Sequence, residues 1–312
     1  EEGPLGQRAD FPSEADKGPD ATIGVVQREL PEVLRRAGVS ARDLQGVGVC
    51  MPTPVSPDGF CVYPPNIDVS WKGVNVRDRF ASALSIPAVL LNDGDAAGYR
   101  EHSVRKARGR ASDGMVQFIT GTGLGGAIIL HDEILAGPGV AGEIGHIPTD
   151  TSESADACGC GAIGCAETRA SLVGLTNQVR HLQASGSYPE ELNGDPKMVA
   201  RQLRRLVQED EVLPEVEAIW KEYFTHIGRA MRSVCNTVGC DLLVISGGAQ
   251  EREDGASDAA YSRFLTQAVS WVRLQLDSSF PHLRDVKVEW AVDELPDSGC
   301  YGAATYAAAT LK

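Results

Sequence analysis

Apolar residues recur every three or four positions along several stretches, which is the spacing of one face of a helix. In TIGVVQRELPEVLRRAGV the apolar positions from Ile23 to Leu34 follow this spacing, and Gly38 supplies a stop signal. The same pattern predicts helices in VNVRDRFASAL, DGDAAGYREHSV and SRFLTQAVSWVRLQL, in most of the chain from Ser171 to Gly239, and in the closing SGCYGAATYAAATL.

Short continuous apolar runs alternate with these helices and predict buried strands. They are LQGVGVCMPTPV, IPAVLL, GMVQFIT, CDLLVISGGAQ and VKVEWAV, and VSPDGFCVY predicts a hairpin that turns at Pro57-Asp58-Gly59. Strands and helices in alternation predict an α/β fold. The charged segment RKARGRASDG, residues 105–114, marks the expected division between two lobes with a cleft between them.

A glycine-rich stretch, FITGTGLGGAIIL, places Gly121, Gly123 and Gly126 in the pattern G-x-G-x-x-G. A dinucleotide site needs a helix after these glycines, but the AIILHDEIL that follows is β-branched and has no helical period. We therefore predict a hairpin, with strands over 115–120 and 126–130 joined by the glycine turn.

Two interpretations of the glycine turn remain open. Its backbone N–H groups could cradle a phosphate, with Thr122 adding a hydroxyl, or its glycines could only relieve the strain of a tight hairpin. Gly247 and Gly248, which follow a predicted strand in VISGGAQ, raise the same pair of possibilities for a nucleotide.

Composition limits the classes of function. The chain has 312 residues, 42% of them hydrophobic and 23% charged, as in globular proteins with a sizeable core. Its net charge of -14 argues against nucleic acid as a partner, and no apolar run approaches the length of a membrane span. The polar opening does not resemble a signal peptide, so the cytoplasm is the expected location. Because the first residue is Glu1 rather than Met, we expect trimming or processing.

A compact cluster of metal-binding residue types follows the glycine stretch. His146, Cys158, Cys160 and Cys165 have the spacing H-x11-C-x-C-x4-C, in a chain with eight cysteines. Three thiolates and one imidazole form a closed tetrahedral set for Zn²⁺, which indicates a structural rather than a catalytic ion. The alternative is a flexible loop of unligated thiols.

Two groups of carboxylates are candidates for chemistry. Asn92-Asp93 ends an apolar strand and begins a predicted helix, where Asp93 could accept a proton from a sugar hydroxyl or could simply cap the helix. Glu143 and Glu167 flank the metal cluster, and with His146 they suit the vicinal hydroxyls of a sugar. The alternative is that both are solvated acids on a very acidic protein.

These motifs together resemble those of the ROK family, named for repressors, open reading frames and kinases. The resemblance rests on LLNDGDAAG, GTGLGGAIILHDEILAGPGVAGEIGH, CGCGAIGCAETRAS and LLVISGGA, and it extends from about residue 23 to the C-terminus. It implies an actin-like ATPase (ribonuclease H-like) fold, with a first lobe that is incomplete if its leading strands are lacking. The implied lobes are residues 1–109, joined by the C-terminal helix 299–312, and residues 110–298 with a zinc loop at 146–165.

The resemblance also implies an activity, which is ATP-dependent phosphorylation of a hexose, with glucose converted to glucose 6-phosphate. Asp93 matches the family's catalytic base, Asn92 matches its sugar-binding neighbour, and Glu143, His146 and Glu167 match ligands of sugar hydroxyls. His146 would serve both the sugar and the metal, one through each ring nitrogen.

The remaining expectations concern the cofactors. Gly121, Thr122 and Gly123 match a phosphate-binding turn for ATP with Mg²⁺, and Gly247 and Gly248 match the adenosine-side turn. His146 and the three cysteines match a structural zinc site. A sugar is the expected partner, a homodimer is possible, and neither nucleic acid nor a membrane is expected.

Two departures from the family pattern leave an alternative open. Kinases of this family begin with a D-x-G-G-T turn that contacts ATP, and the sequence contains no such motif. The missing Met favours truncation over a real loss, but a catalytically impaired sugar-binding or regulatory protein remains the alternative. Pro52-Thr53 also replaces the usual Pro-Gly, which could alter sugar preference.

Overall fold

The computed structural model describes residues 9–64, 67–292 and 298–311. The chain divides into two compact units. Unit 1 comprises Glu1–Ala111, Ala127–Gly142 and Val292–Lys312, and unit 2 comprises Ser112–Gly126 and Glu143–Ala291. The first eight residues of the polar opening lie outside the described residues, as does Lys312 at the end of the predicted helix 299–312. The lobe limits predicted from the sequence remain a proposal.

The helices of the described residues are α1 Pro19–Ala37, α2 Val76–Leu84, α3 Asp93–Ala107, α4 Leu172–Ala184, α5 Pro196–Val207, α6 Pro214–Val238, α7 Asp258–Asp277 and α8 Ser298–Thr310. The strands are β1 Val47–Met51, β2 Ala88–Asn92, β3 Gly114–Thr120, β4 Leu124–Leu130, β5 Glu133–Ile134, β6 Leu242–Gly247 and β7 Lys287–Trp290.

Unit 1 is built on two parallel strands with helices packed against them. β1 pairs with β2 in the register from Val47↔Ala88 to Met51↔Asn92. One core cluster contains Ile23 of α1, Phe80 of α2, and Trp71 of the short 3₁₀ turn before α2, all of them buried. A second joins Leu91 and Ala96 to Ala303 of α8, so the last described helix closes the same unit as the first.

Helix α8 approaches its neighbours very closely because its contact face carries small residues. A Cβ atom on Gly302 would lie 1.7 Å from the carbonyl oxygen of Ala96 in α3, and a Cβ atom on Gly48 of β1 would lie 2.1 Å from the carbonyl oxygen of Ala303. Glycine at both positions lets the backbones touch, and this contact places α3 and the residues at its N-terminus.

Unit 2 contains β3, β6, β7 and the first residues of β4, which belong to a five-stranded mixed sheet with the order β5-β4-β3-β6-β7. β3 and β6 are parallel, from Met115↔Leu242 to Thr120↔Gly247, and β6 and β7 are also parallel. The residues of β3 and β6 are mostly apolar and largely buried, as expected for parallel strands covered by helices, whereas β7 is only partly buried. The long helix α6 packs on α7 through buried aromatic residues, with the rings of Trp220 and Phe264 5.1 Å apart.

The sequence predictions of the elements can be compared with this structure. The glycine stretch is followed by a strand and not a helix, as predicted, although β4 begins at Leu124 rather than at residue 126. α1 ends as predicted at Gly38, which has a left-handed φ of 68°. The predicted Pro-Asp-Gly hairpin is present as an isolated bridge between Val55 and Cys61. None of the described helices is long and apolar enough to cross a membrane.

Candidate functional site

The four predicted metal ligands come together in unit 2. The ligand atoms of His146, Cys158, Cys160 and Cys165, hereafter the metal-ligand cluster, all lie within 4.8 Å of one another. His146 ends a short 3₁₀ turn, Ile144–His146, and the bridges Pro148↔Cys165 and Ala157↔Ile163 fold the intervening loop back on itself. These contacts bring three thiols and one imidazole close together in a loop that has little regular structure.

The loop is held by its own backbone and by one buried arginine. The N–H groups of Thr149 and Asp150 both donate to the carbonyl oxygen of Gly164, at 2.8 and 3.0 Å. Gly164 has a φ of 77°, and a Cβ atom there would lie 1.9 Å from the Asp150 carbonyl oxygen. Arg169 donates from Nε and Nη2 to Asp150 Oδ2, at 3.0 and 2.8 Å. Through these two hydrogen bonds Arg169, which follows the loop in the sequence, holds Asp150 near the start of the loop.

The chemistry and spacing of this donor set fit Zn²⁺. Zinc with thiolates at about 2.3 Å in a tetrahedron places its ligand atoms roughly 3.8 Å apart. Here Cys160 Sγ and Cys165 Sγ are 3.7 Å apart, and Cys158 Sγ is 3.5 Å from His146 Nδ1. Burial raises the pKa of the Cys165 thiol to about 12, with the neighbouring Cys160 adding to the rise. A bound cation would therefore have to displace thiol protons.

The two ring nitrogens of His146 face different groups. Nδ1 is turned toward Cys158, and Nε2 lies 3.9 Å from Oε2 of Glu143. Glu143 is exposed, immediately before the 3₁₀ turn that carries His146. One imidazole therefore lies between the metal-ligand cluster and an exposed carboxylate. The predicted double role of His146, toward the metal and toward a sugar hydroxyl, stays a prediction.

Glu167 reaches the glycine turn, residues 121–123, as well as the cluster. Its Oε2 accepts a hydrogen bond of 2.9 Å from the backbone N–H of Leu124, and its Oε1 lies 3.8 Å from Cys158 Sγ. A Cβ atom on Gly123 would lie 2.3 Å from the same Oε2. Sequence reasoning missed this contact, because the two partners are 43 positions apart and no spacing rule connects them.

The glycine turn also rests on the N-terminal end of α4. The N–H groups of Leu172 and Val173 donate to the carbonyl oxygens of Gly121 and Thr122, at 2.9 and 3.3 Å. Gly121 and Thr122 are exposed and Gly123 is half-buried. Two carbonyl oxygens of the turn are therefore hydrogen-bonded to α4, while Gly121 and Thr122 remain accessible to solvent.

The second pair of predicted glycines sits at the end of β6. Gly247 has a φ of 84°, and a Cβ atom there would lie 2.1 Å from the Thr120 carbonyl oxygen, so the packing of the strands itself requires glycine. The N–H of Gly248 donates to that same oxygen at 2.7 Å. Arg204 Nη1 donates to the Gly248 carbonyl oxygen at 2.7 Å.

In unit 1, Asn92 and Asp93 stand at the junction of β2 and α3. Asn92 is the helix cap, since its Oδ1 accepts from the N–H groups of Gly94 and Asp95 at 2.8 and 3.3 Å. Its Nδ2 donates to the Thr53 carbonyl oxygen at 3.2 Å. Thr53, the residue in place of the usual glycine, is buried and donates its hydroxyl to the Tyr63 carbonyl oxygen.

Asp93 is the first residue of α3, and its side chain is exposed. Its Oδ1 accepts from the Gly94 N–H at 2.9 Å, whereas its Oδ2 makes no hydrogen bond within the described part of the chain. The protein packed around the carboxylate raises its pKa, although the side chain has solvent access, and the Gly94 hydrogen bond opposes the rise. A carboxylate that is accessible and harder to ionise than usual suits proton transfer.

The fold and the motifs define a class, the α/β proteins of the actin-like ATPase type. The ROK hexokinase structure from Thermus thermophilus superposes with a TM-score of 0.70 and 24% identity, over 96% of this chain and 89% of that one. The sequence profile of the ROK family matches residues 19–287, and the chain belongs to that family.

Characterised relatives include both kinases and repressors. A glucokinase of Halalkalibacterium halodurans is 34% identical over 137 residues, which are 44% of this chain and 40% of the glucokinase. A xylose repressor of Bacillus subtilis is 24% identical over 176 residues, which are 56% of this chain and 44% of the repressor. The chain therefore matches less than half the length of either relative.

Proposed function

We propose that this protein is an ATP-dependent hexose kinase that converts glucose to glucose 6-phosphate, with Asp93 as the general base. The observation that carries the proposal is that Asn92 and Asp93, at the start of α3, have different hydrogen-bonding roles. Asn92 caps the helix, and Asp93 therefore keeps an accessible carboxylate oxygen for a substrate. Family membership and the similarity to a glucokinase support the same activity.

The residues near the metal-ligand cluster supply the rest of the proposed sugar site. Glu143 and Glu167 accept hydrogen bonds from sugar hydroxyls, and His146 adds a contact through Nε2. Asn92 has one amide hydrogen beyond the one given to Thr53, and that hydrogen is available to the sugar. Zn²⁺ on the cluster is structural in this proposal, because four protein ligands leave no open position.

The proposed nucleotide contacts are Gly121, Thr122 and Gly123 for the phosphates and Gly247 and Gly248 for the adenosine side. Bound to the ATP phosphates, Mg²⁺ supplies charge neutralisation. The transition state of phosphoryl transfer is loose, so alignment of the attacking hydroxyl matters more than covalent chemistry. Asp93 orients that hydroxyl and receives its proton. We propose a cytoplasmic location, consistent with a sugar and ATP as substrates.

A coupled ADP-release assay with a panel of hexoses tests the activity. Glucose is expected to be the best substrate among glucose, mannose, fructose and their N-acetylated relatives. The panel separates phosphorylation from slow ATP hydrolysis, because hydrolysis continues without sugar. ADP release that no sugar accelerates would contradict the proposed kinase.

A second candidate function is sugar binding without phosphoryl transfer, as a regulatory protein. The specific observation that favours it is the similarity to a xylose repressor, which extends over more residues than the similarity to the glucokinase. Isothermal calorimetry separates the candidates. A regulator of this kind binds sugar but not ATP, whereas a kinase binds both.

A further inference from the structure

Glu167, a proposed sugar ligand, also contacts both the metal-ligand cluster and the end of the glycine turn, which the proposed function treats separately. We propose that it is a positioning residue that couples the metal-ligand cluster to the glycine turn, so that metal occupancy sets the affinity for the nucleotide. The inference rests on the proposed function, since it takes the glycine turn to be the phosphate site. It adds that the structural metal controls nucleotide binding through one carboxylate.

The first step of the argument is the geometry of the carboxylate. One oxygen faces the cluster, 3.8 Å from Cys158 Sγ, and the other accepts the Leu124 N–H at 2.9 Å. Leu124 directly follows the glycine turn and begins β4. The hydrogen bond therefore fixes the backbone at the residue where the turn becomes a strand. It is stronger than a hydrogen bond to a neutral acceptor because the carboxylate is charged.

The second step is the continuity of the chain around Glu167. Within nine positions, this segment supplies a metal ligand at Cys165, the carboxylate at Glu167, and the backbone donors Leu172 and Val173. Those donors bind the carbonyl oxygens of Gly121 and Thr122. The same short segment thus supplies a ligand to the metal-ligand cluster at one end and binds the glycine turn at two points. A shift of this segment would therefore affect both sites.

The third step is the identity of residue 123. Gly123 has no Cβ atom, and the place that one would take is 2.3 Å from Glu167 Oε2. The clash would be with the end of a flexible side chain rather than with backbone. Alanine at this position therefore pushes the carboxylate off Leu124 while the hairpin itself is retained. Gly125, two residues along the same hairpin, has no atom within 4 Å of its would-be Cβ and is a matched control.

Amide hydrogen exchange tests the coupling without any nucleotide. In zinc-loaded wild-type protein, the Leu124 amide is expected to exchange slowly, and chelation of the zinc is expected to accelerate its exchange by about tenfold, as for a lost hydrogen bond to a charged group. Zinc-loaded Gly123→Ala is expected to exchange fast already, whereas Gly125→Ala behaves like the wild type. Equal exchange in the two alanine variants would overturn the proposal.

Calorimetric titration with ADP then tests the functional half. Gly123→Ala is expected to bind ADP about tenfold more weakly than Gly125→Ala. Glu167→Ala, which adds no atom at the turn, is expected to weaken ADP binding in the same way. Glu167→Gln keeps an acceptor oxygen for Leu124 and is expected to recover part of the affinity.

The outcomes distinguish the two proposals. If the wild-type protein binds no ADP, the proposed kinase activity fails, and hydrogen exchange alone decides whether Glu167 couples the sites. If the wild type binds ADP equally well with zinc and with the zinc chelated, and Gly123→Ala and Glu167→Ala match it, nucleotide binding survives but the coupling is wrong.

Discussion

The two adjacent residues at the start of α3 have different roles. The sequence left open whether Asp93 accepts a proton or only caps the helix, and the structure places the cap at Asn92. Asn92 accepts the hydrogen bonds of the first turn, and this leaves Asp93 with an accessible carboxylate. The pattern in the sequence identified the pair, but only the backbone geometry assigned the cap.

Replacement of this carboxylate by the isosteric amide, Asp93→Asn, is expected to reduce kcat by about 10²–10⁴-fold, the usual contribution of a general base. The amide oxygen can still accept the Gly94 N–H, so the helix start is preserved and sugar affinity should change by no more than about threefold. Steady-state kinetics and calorimetry with glucose measure the two effects. Retained turnover would show that another group takes the proton.

His226 makes the stability of unit 2 depend on pH. Burial, together with the nearby positive charge of Arg229, lowers its pKa from 6.5 to about 4. The unfolded state therefore binds a proton more readily than the folded state. The stabilisation is complete above about pH 6.5 and is lost as the pH falls toward 4.

Between pH 7.5 and pH 5 this single group is expected to remove about 2 kcal/mol from the free energy of unfolding. His226→Gln keeps a side chain that can contact Thr149, which lies 2.8 Å from His226 Nδ1, but it does not titrate. Urea unfolding at both pH values measures the difference between the variant and the wild type. A pH dependence equal in the two proteins would contradict the assignment.

At the scale of elements, α8 shows how glycine sets the distance between helices and strands. Gly302→Ala is expected to destabilise the protein by about 2 kcal/mol or more, because overpacking against backbone outweighs the gain in helix propensity. Gly299→Ala, on the same helix, meets its nearest neighbour at 3.5 Å and is expected to be nearly neutral. Thermal unfolding of the two variants compares them directly, and similar losses would argue against the close contact.

The elements themselves could be predicted from the sequence to a large extent. Periodicity located α1, and the stop signal at Gly38 located its end. The β-branched run after the glycine turn argued against a dinucleotide site, and a strand follows there. What periodicity could not supply were contacts between distant positions. One is the hydrogen bond from the Leu124 N–H to Glu167, and another is the close approach of the Thr120 carbonyl oxygen, which leaves room only for glycine at position 247. Both depend on how strands and loops pack, which local spacing does not encode.

The candidate site was predictable where its residues are close in sequence. The metal-ligand cluster follows from one compact motif, and the structure brings its four side chains together. The roles of the substrate and nucleotide residues are still predictions. For Gly248 the structure adds a competing use, since its N–H already bonds to Thr120.

At the scale of the whole molecule, the proposed zinc should contribute to overall stability. A ligand present at a hundredfold excess over its Kd stabilises the folded state by about 2.7 kcal/mol. Cys160→Ser is expected to abolish the rise in Tm that added zinc produces, while the variant itself folds because Cys160 is exposed. Cys300→Ser, at an exposed cysteine outside the cluster, should retain the rise. Scanning calorimetry with and without zinc tests this expectation.

The path of the chain through the two units has a consequence for dissecting the protein. Unit 1 is assembled from three separate stretches, so no single cut of the polypeptide releases it whole. A fragment that stops at Ala111 would lack Ala303 and would leave Leu91 and Ala96 without their apolar cover. Split-protein or circularly permuted designs must therefore keep the C-terminal helix joined to the N-terminal segment.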